Sequence, residues 1–269
     1  MTVTEPNSEQ PAPSGVLHVE RDDARGVVTI TIDDPPKLNR VPLAARDELA
    51  ALFERLDRDP GVRVIVLTGA GEQAFSAGGD IRAFLDRDPA GLSRLAWNVA
   101  APERCSKPVI AKLRGFALGV GFELAMASDF RLAADDAVLG LPEIRLGMIP
   151  GSGGTQRVAR IAGLGRAKDM IMRGRRISAA EALSYGLVTE VHPAAGLDAA
   201  VDALVDELRA LSPLALAMAK RVLDHAYDAP QGVGLEIEGL AYGLLRSSHD
   251  FEEGVHAFVE KREPRFEGR

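Results

Sequence analysis

Three β-branched runs separated by helical stretches constrain this chain more than any other feature. GVVTITID (26–33), VRVIVLTG (62–69) and KPVIAKLRG (107–115) each have the length and composition of a strand. Between the first two lies a turn-rich loop, DDPPKLNRVP (33–42). It is followed by LAARDELAALFERLDRD (43–59), which carries apolar residues at helical spacing and stops before Pro60-Gly61. After the loop GAGEQAFSAGGD a helical region is expected at about 81–104. Strand and helix alternate, so the fold class is α/β. FELAMASDFRLAADDAVLGLPEI is expected to hold a helix at about 120–127 and two short strands. SAAEALSYGLV (178–188) opens with a capping box, Ser178 with Glu181 three residues on, and carries Gly186 as a helix stop. From about 199 the sequence is helical. A boundary near 198 therefore divides an α/β body (15–198) from a helical region (199–269), behind a polar, Pro-rich tail (1–14) that reads as disordered.

Composition narrows the function classes. Of 269 residues, 46% are hydrophobic and 26% charged, the balance of a globular protein with a sizeable core. A formal net charge of −7 argues against nucleic acid or an anionic membrane as the main partner. The single cysteine, Cys105, allows no intrachain disulfide and no cysteine-based zinc site. His18, His192, His225, His249 and His256 show no metal-ligand spacing, so no metal is expected. No signal peptide and no apolar run approaching about 20 residues is present, so the expected location is the cytoplasm.

One carboxylate stands out. In RGFALGVGFELAMASDF (114–130), Glu123 is set among Gly, Ala, Leu, Val, Phe and Met. A buried carboxylate is costly unless something compensates it. ALGVGFEL (117–124) is a glycine-bracketed helix start, whose first N–H groups lack internal partners and can hold an oxyanion. The loop FSAGGD (75–80) is small enough for a ligand to approach the backbone. Glu143, in GLPEIRLGMIPGSGGTQR (140–157), follows Pro142 and precedes a second glycine-rich helix start. Two carboxylates in such settings point to paired acid–base work, one protonated and one charged, provided they meet in space. Surface turns, close helix packing and plain caps would account for each segment taken singly.

Taken together, PPKLN, VRVIVLTGAGEQAFSAGGDI, KPVIAKLRGFALGVGFELAMASDFRLAADDAVLGLPEIRLGMIPGSGGTQRV, GRRISAAEALSYGLVTEV, SPLALAMAKRVL and FEEGVHAFVEKREPRF resemble the crotonase (enoyl-CoA hydratase/isomerase) superfamily over about 16–266. The resemblance implies a spiral of ββα units with a C-terminal helical trimerisation region, assembled as a homotrimer or a dimer of trimers. It implies an acyl-CoA thioester substrate, with CoA part of the substrate and no separate cofactor. The activity implied is enoyl-CoA hydratase, the reversible syn addition of water across the 2,3 double bond of a trans-2-enoyl-CoA. Isomerase, decarboxylase or specialised hydratase chemistry is the nearest rival, and a non-catalytic or RNA-binding member a more distant one. Glu123 and Glu143 match the family's paired glutamates. The backbone N–H groups of Ala77 and Val120 match its oxyanion hole, and Val120 departs from the usual glycine. Gly78, Gly79, Asp80 and Gly119 belong to the same binding loops, and Asp80 is expected to fix its loop by accepting backbone N–H bonds. Lys37, Asn39 and Lys261 are implied near the CoA phosphates, with Arg40 and Pro42 as departures that alter how the adenine end is held. Trp97 and Phe84 fall where the family lines its acyl tunnel, or are core.

Overall fold

The computed structural model describes residues 14–269. The tail expected over 1–14 lies outside the described residues except for Ser14, whose N–H donates to Glu48 at 2.7 Å. The strands are β1 (Leu17–Asp22), β2 (Val27–Ile32), β3 (Val64–Gly69), β4 (Ala74–Ser76), β5 (Val109–Leu113), β6 (Phe116–Leu118), β7 (Phe130–Ala134), β8 (Val138–Gly140), β9 (Arg176–Ser178) and β10 (Glu190–His192). The helices of the body are α1 (Leu43–Arg58), α2 (Pro89–Ser93), α3 (Leu95–Val99), α4 (Ala101–Arg104), α5 (Val120–Ala127), α6 (Gly154–Ala162), α7 (Leu164–Met172) and α8 (Ala179–Ser184). They are followed by α9 (Leu197–Arg209), α10 (Pro213–Asp224), α11 (Gln231–Arg246) and α12 (His249–Glu260).

Two sheets share the chain in a repeating way. One has the order β1-β2-β3-β5-β7-β10 and the other β4-β6-β8-β9. In each pair β3–β4, β5–β6 and β7–β8, the first strand joins the larger sheet and the second the smaller, and within each sheet these neighbours are parallel. Every turn thus advances the chain by one strand in both sheets, a spiral of ββα units. β3 shows why its run is apolar throughout. Ile65 and Leu67 enter the main core with α1 and α5, while Val64 and Val66 point to the other face, beneath Val201, Val205 and Leu208 of α9. A strand covered on both faces needs no polar alternation.

The structure departs from the sequence reading in two places. The region 81–104 is broken into α2, α3 and α4 after a short 3-10 turn, Arg82–Phe84. Pro89 and Pro102 each restart a helix at its first turn, where a missing N–H costs nothing. The capping box at Ser178 is half formed. Its hydroxyl accepts the Glu181 N–H at 3.2 Å, but the Glu181 carboxylate turns to Arg175 and to the Tyr185 hydroxyl. Past residue 198, α9 seals one face of the larger sheet, with Leu216 of α10 partly buried against the same cluster. Beyond it, α10 and α11 bury no residue.

Candidate active site

The first turn of α5 is set against the loop that follows β4. Gly119 precedes the helix at φ 54°, a left-handed conformation that a side chain would strain. Gly121 faces β4 so closely that a Cβ there would stand 2.5 Å from the Ser76 carbonyl oxygen. A Cβ on Gly119 would lie 3.8 Å from the Gly78 Cα. Small residues therefore let a helix N-terminus abut the loop 77–80.

The donors in this cradle differ from the sequence expectation at one position. The Ala77 N–H donates to the Leu38 carbonyl at 2.9 Å, so it is occupied in holding the loop to the Pro35–Lys37 turn. The Gly78 N–H is also engaged, with the Ser76 hydroxyl at 3.2 Å. The next residue, Gly79, has an N–H with no protein acceptor among the described residues, and so does Val120, the first residue of α5. The Val120 side chain is packed in the main core. Its departure from glycine leaves the N–H in place.

Glu123 is 2% exposed, one helical turn beyond Gly119. Its Oε1 accepts the N–H of Ser152 at 2.7 Å and of Gly154 at 3.0 Å. Arg157 braces that segment, donating to the Ser152 carbonyl at 3.0 Å and pairing with Glu103. Burial raises the Glu123 pKa, opposed by the two N–H bonds and by the charges of Arg46 and Arg157.

Glu143 opens a 3-10 turn, Glu143–Leu146, and is half-buried. Its Oε1 lies 3.2 Å from where a Cβ on Gly119 would stand, so it reaches the entrance of the helix that carries Glu123. Its Oε2 is buried without a hydrogen-bond partner among the described residues. Burial lifts its pKa to about 7. The Glu123 charge adds to the rise, while a backbone bond of its own residue and the Arg46 charge oppose it. The structure thus brings Glu123, Glu143, Gly119, Val120 and the loop 77–80 together. One carboxylate is fixed by two N–H donors and the other holds its proton near neutrality.

The remaining candidates are held by other partners or face solvent. Asn39 is 1% exposed, at φ 55°. Its Oδ1 accepts the Asp34 N–H, and its Nδ2 donates to the carbonyls of Ala70 and Ala74 at 2.8 and 2.6 Å. That side chain is spent on the loop and has nothing left for a phosphate. Asp80 accepts from Arg40 Nη1 at 2.8 Å, a side-chain partner instead of the expected backbone N–H. Arg40 is thereby tied inward. Lys37 and Lys261 are exposed, Lys261 at the left-handed end of α12. Trp97 is 68% exposed and lines a groove with Arg157, Lys220 and Tyr227 that includes neither glutamate. Phe84 is half-buried, its ring 5.5 Å from the Arg46 guanidinium. Cys105 is buried, its thiol pushed up to about 12 by burial.

Arg46 is a residue the sequence reading missed. It lies on the buried face of α1 with Leu43, Leu49 and Phe53. Its Nη2 is 2.6 Å from where a Cβ on Gly79 would stand. A charged residue in phase with an apolar helical face was visible in LAARDELAALF and could have marked it.

Comparison with known proteins points to one family. The model of the enoyl-CoA hydratase/isomerase family matches residues 22–269. A Mycobacterium tuberculosis (strain CDC 1551 / Oshkosh) protein, "Probable enoyl-CoA hydratase echA8", is 38% identical over 255 residues, covering 93% of this chain and 97% of its own. The carnitinyl-CoA dehydratase of Proteus mirabilis (strain HI4320) is 37% identical over 259 residues, covering 91% and 97%. Among solved structures, the enoyl-CoA hydratase of Bacillus anthracis superposes with a TM-score of 0.88 at 37% identity, covering 94% of this chain and all of that one.

Proposed function

The chain belongs to the enoyl-CoA hydratase/isomerase family, and from that premise we propose that it hydrates a trans-2-enoyl-CoA to the 3-hydroxyacyl-CoA. The observation that carries this reading is the pairing of two unlike carboxylates beside two backbone donors without an acceptor among the described residues. The thioester oxygen sits between the N–H groups of Gly79 and Val120, with the start of α5 adding a positive field. As water attacks C3, negative charge collects on that oxygen. Donors aimed there favour the transition state over the substrate, by roughly 3 kcal/mol for each.

Glu123 enters as the carboxylate. Burial raises its pKa, but two N–H bonds and the charges of Arg46 and Arg157 oppose that rise. With one proton on the pair, the charge goes to the carboxyl that has these donors. It orients the water and takes its proton. Glu143 enters protonated and gives its proton to C2. One proton stays on the pair throughout, so running the steps backwards is dehydration by the same groups. CoA arrives as part of the substrate, and no separate cofactor performs a step.

Assembly is proposed from the C-terminal helices. Leu240 and Tyr242 on α11 and Phe258 on α12 are 76%, 74% and 86% exposed, an apolar surface suited to a trimer or a dimer of trimers. No helix among the described residues is long and apolar enough to cross a membrane, and the cytoplasm is the proposed location. Purified protein with crotonyl-CoA, followed by loss of the conjugated enoyl-thioester absorbance, tests the activity. Turnover is expected. Absence of turnover on short, medium and aromatic enoyl-CoAs overturns it, and migration of the double bond without hydration would assign an isomerase.

A further inference from the structure

Arg46 is 3% exposed, yet no hydrogen bond from its guanidinium to a described residue is present. Its Nε is buried and unpartnered, and no carboxylate among the described residues comes within 4.0 Å to form an ion pair. A buried cation without an acceptor is costly and is rarely retained for packing alone. The opposite face of α1 carries ordinary solvated charges, Glu54 and Arg55, so solubility does not explain an arginine on the apolar face.

The surroundings of this cation belong to the proposed site. Nη2 lies 2.6 Å from where a Cβ on Gly79 would stand, the ring of Phe84 lies 5.5 Å from the guanidinium carbon, and the charges of Glu123, Asp47 and Glu143 all act on it. None of the three acids is its hydrogen-bonded partner. Glu123 gives its Oε1 to Ser152 and Gly154, and Glu143 has its own orphaned oxygen. The guanidinium therefore offers a planar fork of donors next to the loop that cradles the thioester, with no anion among the described residues paired to it.

We propose that Arg46 anchors a carboxylate carried by the acyl chain, so that the preferred substrates are 2-enoyl thioesters whose acyl chain ends in an acid. The proposal rests on the reading of the chain as an enoyl-CoA enzyme and adds to it the class of acyl group. A fork-to-carboxylate pair supplies the missing acceptors, and its charge offsets the buried cation. A methyl-ended chain in the same place leaves the guanidinium unpaired.

Binding of two saturated, unreactive thioesters of equal chain length, glutaryl-CoA and valeryl-CoA, tests this by titration calorimetry. Wild type is expected to bind glutaryl-CoA roughly 10- to 100-fold tighter, the range of a charge-assisted hydrogen-bonded pair. In Arg46→Met, of similar length and no charge, the ratio is expected to fall to about one or below. Arg46→Lys is expected to keep part of the preference. Equal binding by wild type overturns the proposal, as does a ratio that survives Arg46→Met, and the wild-type ratio decides even if that variant does not fold. Kinetics on glutaconyl-CoA and 2-pentenoyl-CoA separate the two readings. A glutaryl preference without turnover of either would remove the hydratase and keep the anion site, whereas turnover of both with equal binding would do the reverse.

Discussion

α5 and α11 are both rich in apolar residues, and the chain treats them in opposite ways. All eight residues of α5 are buried, Glu123 among them, whereas none of the sixteen residues of α11 is. The cover of α5 comes from within the chain, from β4, α3, α4 and α6, all of which pack on it. α11 meets α10 and α12, yet its Leu235, Leu240, Tyr242 and Leu244 stay exposed. A helix enclosed on all sides can hold a carboxylate and a set of N–H donors in fixed positions with little reorganisation, which is what a reaction through an enolate requires. A helix left bare suits recognition of another surface.

Substitutions at the enclosed helix and its partners should therefore act on chemistry, and those on the bare helix on assembly. The largest effect is expected for Glu143→Gln, which keeps the shape and removes the proton donor. The kcat for crotonyl-CoA should fall by about 10²–10⁴, with KM changed far less. Val120→Pro comes next. Proline is tolerated at the first position of a helix but has no N–H to donate. A loss of about 10²–10³ in kcat is expected, and Val120→Ala, which retains the N–H, should keep most of the activity. If both variants lose activity equally, the donor role fails and packing explains the position.

Stability sharpens the same contrast. Leu124 in α5 is fully buried, and Leu124→Ala should cost about 2–5 kcal/mol in denaturant unfolding. Leu240→Ala on α11 should leave the unfolding of a single chain within about 0.5 kcal/mol. It should instead weaken association, read as a lower mass by light scattering at low protein concentration. Equal costs at the two positions would mean that α11 is covered by its own chain in solution.

How far the sequence discloses this arrangement depends on element length and on what fixes each element. β3 was readable because burial on both faces demands a near-continuous apolar run, β2 because its β-branched residues alternate, β5 because its run is short and mostly apolar, and α5 because glycines bracket its start. β4, β6, β9 and β10 were not, since three residues carry too little periodicity to separate a strand from a loop. The two glutamates were legible as misfits in their surroundings. The N–H donors were not, because a backbone donor leaves no trace in residue identity. Only the fold shows that Ala77 is claimed by Leu38 while Gly79 has no acceptor among the described residues. Asn39 and Asp80 carry polar side chains next to the site, but their partners come from segments distant in sequence, Ala70 and Ala74 for the first and Arg40 for the second.

The central claim is that one proton shared by Glu123 and Glu143 drives the reaction. Burial holds the Glu143 proton up to about pH 7, above its ordinary value of 4.5, so the working form is lost as pH rises through 7. The direct measurement is kcat/KM against pH for hydration of crotonyl-CoA and for dehydration of 3-hydroxybutyryl-CoA. Both profiles should fall together, tenfold per pH unit above about 7, because both directions use the singly protonated pair. A profile that stays flat from pH 6 to 9, or one unchanged by Glu143→Gln, would contradict the account.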